Sequence, residues 1–157
     1  MNEKTFQLMV SSKGHEWYTP LDLYKSLDNE FHFTTDPCAE STNRLGCKIF
    51  YTKEQDGLDW TKYPWYGNVF INPPYGSKGN VTMWVEKAWE YGGNDLGIAV
   101  LLIPARTDTR WFHRYIWKEK GVEIRFLPGR LKFENPEHIK NTAPFPSMVV
   151  IFRSASE

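Results

Sequence analysis

The run Gly97–Ile103 (GIAVLLI) carries no polar side chain and stops at Pro104. A strand that is apolar at every position has two faces to bury, which places it in the middle of a sheet covered by helices on both sides. Asn68–Asn72 (NVFIN) is a second compact apolar run, halted by Pro73-Pro74. It reads as a buried strand whose carboxyl end opens into a stiff loop, because proline disfavours helix in the residue before it. Shorter strand signals lie at Phe31–Asp36, Lys48–Tyr51, Val122–Leu127 and Ser147–Phe152 (SMVVIF). Three helical patterns separate them. Thr19 and Pro20 read as cap and first turn of a helix over about 20–29, with Leu21, Leu23, Tyr24, Leu27 and Phe31 giving apolar spacing near 3.6. Met83, Trp84, Val85, Ala88 and Trp89 recur at helical spacing up to Gly92-Gly93, and Thr109–Lys120 reads as an amphipathic helix. Strands alternating with helices predict an α/β fold, mostly parallel, with binding groups at the carboxyl ends of the strands. A long polar loop with no helical pattern precedes Ser147–Phe152, so that strand is expected antiparallel, beside Val122–Leu127 or one strand away.

Charge narrows the function classes. The 157 residues carry 19 basic and 19 acidic side chains, so no polyelectrolyte tail is available to hold nucleic acid by charge alone. The balance is uneven along the chain: residues 1–100 hold 9 basic against 13 acidic groups, and residues 101–157 hold 10 against 6. Arg106, Arg110, Arg114 and Lys118 recur every four residues and would form a basic stripe on an α-helix over Thr109–Lys120. No apolar run approaches the ~20 residues that span a bilayer, and the N-terminal apolar stretch is too short for a signal peptide. A cytoplasmic protein without membrane contact is expected. Residues 1–14 read as a flexible segment ahead of one domain over 15–153. Cys38 and Cys47 cannot build a disulfide framework, and neither pairs with a histidine at metal-ligand spacing, so no metal site is expected.

The most specific feature is Asn72-Pro73-Pro74-Tyr75 at the end of a predicted strand. It resembles the NPPY motif of S-adenosylmethionine-dependent amino-methyltransferases. The chain as a whole resembles the small phage-type DNA N6-adenine methyltransferases of the Dam family, through Glu16-Trp17-Tyr18-Thr19-Pro20, Asp36-Pro37-Cys38-Ala39, Asp56-Gly57-Leu58, Asn72–Gly76, Ile103–Thr109, Gly129–Phe133 and Pro144–Ser147. These segments span about residues 16–152. The resemblance implies a Rossmann-like methyltransferase sheet with an antiparallel C-terminal strand, S-adenosylmethionine as cofactor and double-stranded DNA as substrate. For a phage gene it implies the host cytoplasm as location. No separate target-recognition domain fits in this length.

The chemistry accounts for the residue types. The exocyclic amine of adenine is a poor nucleophile, because its lone pair is delocalised into the ring. The Asn72 side-chain oxygen and the Pro73 carbonyl can accept the two amine hydrogens and aim the nitrogen lone pair. Pro73 and Pro74 restrict φ and so fix where that carbonyl points. Tyr75 offers a ring on which an extruded base can stack. By the resemblance Trp17, Tyr18, Thr19, Pro20, Asp36, Pro37 and Cys38 surround the cofactor. Asp36 would pair with its α-ammonium, and Asp56 would accept from its adenine amine, with Phe50 or Tyr51 as a stacking face. Arg106, Arg110, Arg130 and Lys132 are the candidate DNA contacts.

One departure stands out: Cys38–Asn43 contains no glycine before Gly46, where many methyltransferases place a glycine-rich turn. An altered rather than a lost pocket is expected. Pro37-Cys38 also matches the nucleophile of cytosine C5-methyltransferases, but no segment supplies the acidic partner that such chemistry needs. Trp84, Trp89, Trp111 and Trp117 read as core, and Trp17 and Trp65 as candidates for ligand contact. Two alternatives to DNA methylation follow from the motif alone: amino-methylation of RNA or of protein glutamine, and a catalytically silent nucleic-acid-binding module.

Overall fold

The computed structural model describes residues 17–75, 80–134 and 141–155. In chain order the elements are α1 (Leu21–Phe31), β1 (Phe33–Asp36), β2 (Ile49–Phe50), β3 (Asn68–Ile71), α2 (Val81–Gly93), β4 (Ala99–Pro104), a π-helical turn (Phe112–Ile116), β5 (Val122–Phe126), β6 (Lys132–Phe133), β7 (Asn141–Thr142) and β8 (Ser147–Phe152). Six strands form one sheet in the order β2-β1-β3-β4-β8-β5, and β6 pairs with β7 separately. The β1, β2, β3 and β4 strands run parallel. Antiparallel β8 is inserted between β4 and β5, as the loop before it foretells. This is the mostly parallel, Rossmann-like arrangement expected, with its topological switch between β1 and β3.

The apolar runs behave as two-faced strands must. All six residues of β4 and all six of β8 are buried. The α1 helix packs Tyr24 onto Phe33 and Phe70, with ring centroids 5.7 and 5.2 Å apart. Burying Tyr24, Leu27 and Phe31 stabilises this contact by roughly 1.5–3 kcal/mol per side chain. On the opposite face α2 lies so close to β8 that a Cβ on Gly92 would meet the Phe152 carbonyl oxygen at 2.5 Å. Gly92 is therefore a close-packing residue inside the helix, not its stop; Asn94 closes α2. No helix among the described residues is long and apolar enough to cross a membrane.

Several sequence expectations need correction. Phe31 ends α1 rather than opening β1, because His32 turns left-handed at φ 54° and the Asp28 side chain accepts the Phe33 N–H at 2.8 Å. Thr19 does not cap α1: the cap position is Pro20, and the Thr19 hydroxyl is used elsewhere. The helix expected over Thr109–Lys120 starts as anticipated, with the Thr109 hydroxyl accepting the Phe112 N–H at 3.3 Å. It then widens to an i→i+5 bond, Trp117 N–H to the Phe112 carbonyl, and ends where Lys118 takes φ 61°. The four-residue basic spacing therefore makes no stripe. Arg106 lies before the helical stretch and Lys118 after it. Trp84 is core, whereas Trp89 and Trp117 are exposed and Trp111 is only partly buried.

Candidate active site

The Asp36 carboxylate ends β1 and Asn72 follows β3 directly, so the two stand at adjacent strand ends across the switch point. Between and around them opens a cleft of about 700 Å³. Of the residues anticipated from sequence, Trp17, Tyr18, Thr19, Asp36, Pro37, Cys38, Asp56, Asn72, Pro73, Pro74 and Tyr75 all line it. Pro20, anticipated with them, is not among the lining residues; it holds the cap position of α1. Glu16 and Gly76 lie outside the described residues, as does segment 1–14.

The Asn72 carboxamide is held on every side. Its Nδ2 donates to the Trp17 carbonyl at 2.8 Å and to Thr19 Oγ1 at 3.0 Å. Both N–H bonds are thereby used, which settles the rotamer and turns Oδ1 the other way. There Oδ1 accepts the Tyr75 hydroxyl at 2.6 Å and keeps a second lone pair. The Tyr75 hydroxyl also approaches the Leu102 carbonyl of β4 at 2.9 Å. The Tyr75 ring is 2% exposed, edge-on to Phe133 and Phe145, and burial pushes its phenol well above the usual range. It is a neutral donor. In this arrangement Tyr75 forms a wall behind Asn72, while Pro74 is the exposed residue of the tetrapeptide.

The β1 end is chemically different. Asp36 is 2% exposed. Burial raises its carboxyl to about 7, the neighbouring Glu40 adds to the rise, and the Cys38 N–H donated at 3.1 Å to Oδ1 opposes it. Burial likewise pushes the Cys38 thiol well up, with Asp36 and Glu40 adding repulsion. A thiol so placed stays protonated, which removes the Pro-Cys nucleophile reading. The glycine-poor loop turns by other means. Asn43 takes φ 50° and Gly46 takes φ 77°. The close backbone approach comes from Gly57, where a Cβ would meet the Pro37 carbonyl oxygen at 2.3 Å. Trp65 donates to the Gly57 carbonyl at 2.8 Å and so seats the loop bearing Asp56. Asp56 Oδ1 accepts the Leu58 N–H at 3.0 Å.

Some expectations fall away from the cleft. Phe50, Tyr51 and Trp65 are not among its walls. Tyr51 instead packs on Tyr63 with its hydroxyl on the Pro64 carbonyl. Arg106, Arg110, Arg130 and Lys132 also lie outside the cleft. Arg110, Arg130 and Lys132 are exposed, whereas the Arg106 side chain is 14% exposed and stands 3.7 Å from Asp108. Conversely Glu40, Gln55 and Trp84 line the cleft and were missed. Glu40 and Gln55 sit next to motifs already singled out, so adjacency was the available signal. Trp84 was hidden because a helical aromatic that packs on Trp65 also reaches the cleft.

A mostly parallel sheet with a buried acid at the β1 end and an oriented Asn-Pro-Pro-Tyr at the β3 end is consistent with a Rossmann-like methyltransferase. The family model described as DNA N-6-adenine-methyltransferase (Dam) matches residues 8–157, and the chain belongs to that family. No curated protein matches it closely enough to be named as a relative.

Proposed function

We propose that the chain transfers a methyl group from S-adenosylmethionine to the N6 amine of an adenine extruded from double-stranded DNA. The observation that carries this reading is the Asn72 carboxamide, whose two N–H bonds are spent on Trp17 and Thr19 while Oδ1 retains acceptor capacity at the cleft. An amine presented there meets acceptors, Asn72 Oδ1 and the Pro73 carbonyl, and no competing donor from the amide.

The residues at the β1 end fit the cofactor. Asp36 and Glu40 place two acidic side chains in the cleft wall, which suits a ligand bearing an ammonium and a sulfonium. When bound, the sulfonium supplies a methyl already activated for in-line transfer. Trp17, Tyr18, Thr19, Pro37 and Cys38 surround that ligand, Asp56 offers an acceptor for its adenine, and Trp84 adds an aromatic wall. Asn72 and Pro73 orient the target amine by accepting its hydrogens, which pulls the nitrogen toward a tetrahedral geometry and frees its lone pair from the ring to face the methyl. No general base is needed before transfer, because the nitrogen becomes acidic only once methylated. Tyr75 backs the base slot, and Arg110, Arg130 and Lys132 are exposed cations for phosphates. Arg106 is assigned to the same strand-end edge, where it would act by shaping the loop with Asp108.

Incubation of the protein with duplex DNA and labelled cofactor, followed by nucleoside digestion, tests this directly. N6-methyladenine is the expected product. Label in RNA or in a protein glutamine would replace the acceptor, and saturable DNA binding without cofactor binding would leave a silent binding module.

A further inference from the structure

What holds the segment that orients Asn72? The Trp17–Thr19 stretch belongs to no helix and to no sheet beyond one bridge, in which Tyr18 N–H bonds the Glu134 carbonyl at 2.8 Å and Glu134 N–H returns to Tyr18 at 3.1 Å. Across that bridge lies Arg44, from the loop that follows β1. Its Nη1 donates to the Thr19 carbonyl at 2.7 Å, its Nη2 donates to the Glu134 carboxylate, and its guanidinium stands over the Tyr18 ring, 5.5 Å from the centroid. Both partners are nearly enclosed, at 13% and 18% side-chain exposure. The Arg44 loop is itself tied down, with Asn43 Nδ2 on the Cys47 carbonyl at 2.9 Å and Cys47 Sγ 3.2 Å from the Tyr24 hydroxyl.

A largely buried ion pair contributes little net stability over an apolar pair of equal size, so it is poorly explained as a mere strut. What the fork adds is geometry. Arg44 stands on the loop whose neighbours Glu40 and Leu45 line the cofactor end of the cleft, and it grips the backbone whose Trp17 carbonyl and Thr19 hydroxyl take both Asn72 amide hydrogens. We propose that Arg44, with Glu134, is a positioning residue for the transfer: it locks the Trp17–Thr19 segment as a template for Asn72 and links the cofactor loop to the base side of the cleft. This rests on the proposed methyl transfer for its kinetic consequence, but not for its structural one.

Three variants test it: Arg44→Met, Arg44→Lys, and Arg44→Met with Glu134→Gln, the last removing the carboxylate that the first leaves uncompensated. The structural readout is hydrogen exchange of the Asn72 side-chain amide in selectively ¹⁵N-labelled full-length protein. Arg44→Met and the double variant are expected to exchange about tenfold faster than wild type, while backbone protection in β4 and β8 is retained. The kinetic readout is methyl transfer to duplex DNA. The expected loss is about 10²-fold in kcat for Arg44→Met, with KM for S-adenosylmethionine within about threefold. The double variant recovers thermal stability but not kcat. Arg44→Lys falls with Arg44→Met, since an ammonium is a point charge that cannot present two parallel donors. Unchanged Asn72 exchange in Arg44→Met would overturn the proposal. So would a kcat restored with stability in the double variant, a wild-type-like Arg44→Lys, or a loss confined to cofactor KM. A wild-type protein that methylates no DNA would instead overturn the proposed function, and the exchange measurement would still decide the role of Arg44.

Discussion

The two strand ends that face each other across the cleft solve opposite electrostatic problems. At the end of β1 the groups are acidic and buried: Asp36 is raised to about 7 by desolvation and by Glu40, so a cationic group beside it would favour its charged form. At the end of β3 they are neutral and satisfied, with the Asn72 amide bonded to Trp17, Thr19 and Tyr75. One end gains by receiving charge, and the other has only lone pairs left to offer an uncharged amine. The difference implies that mutations at the two ends separate binding from chemistry.

The largest expected effect is at β3. Asn72→Ala should lower methyl transfer by about 10³-fold, as loss of a preorganised polar group at a reacting centre does, with cofactor affinity nearly intact by calorimetry. Retained activity would remove the distinction between the two ends. At β1, Asp36→Asn should weaken S-adenosylmethionine binding by about 10²-fold, the scale of a lost buried charge-assisted bond. It should also make the ligand-free protein more stable at pH 8. The sign follows from the raised pKa. A carboxyl held up to about 7 in the folded state binds a proton there that the unfolded chain has released, so the native protein loses stability as pH rises from about 4 to about 7. Cofactor affinity should correspondingly climb toward pH 7 and then level off, whereas in Asp36→Asn it should be flat over that range.

Smaller effects sharpen the comparison. Arg130→Ala and Lys132→Ala should raise KM for DNA and each lower the salt dependence of binding by about one unit of slope, with cofactor binding untouched. Tyr75→Phe should change kcat less than about tenfold, because Asn72 keeps both Nδ2 bonds, whereas Tyr75→Ala opens the wall and should weaken base engagement. A steady-state comparison of the two Tyr75 variants reads ring and hydroxyl separately.

Much of this was legible from the chain. Gly97–Ile103 announced a central strand because an unbroken apolar run of that length suits a strand covered on both faces, although the strand itself begins only at Ala99. The polar loop before Ser147 foretold an antiparallel return, and the motif residues came together at one cleft because they end adjacent parallel strands. What stayed hidden depends on long-range partners. Thr19 looked like a helix cap, but the tertiary bond to Asn72 competes for its hydroxyl. Arg44 gave no signal in the sequence, because the partners that define its role, Thr19 and Glu134, lie 25 and 90 residues away. Four-residue charge spacing promised a stripe, and a π-helical turn with an i→i+5 bond broke the period on which that reading depended.

The most direct test of the account is to identify the nucleoside that carries label after incubation of the protein with S-adenosylmethionine and unmethylated duplex DNA. The account predicts N6-methyladenine in the wild type and none with Asn72→Ala, while both proteins bind the cofactor. Cofactor binding with no label in adenine would contradict it.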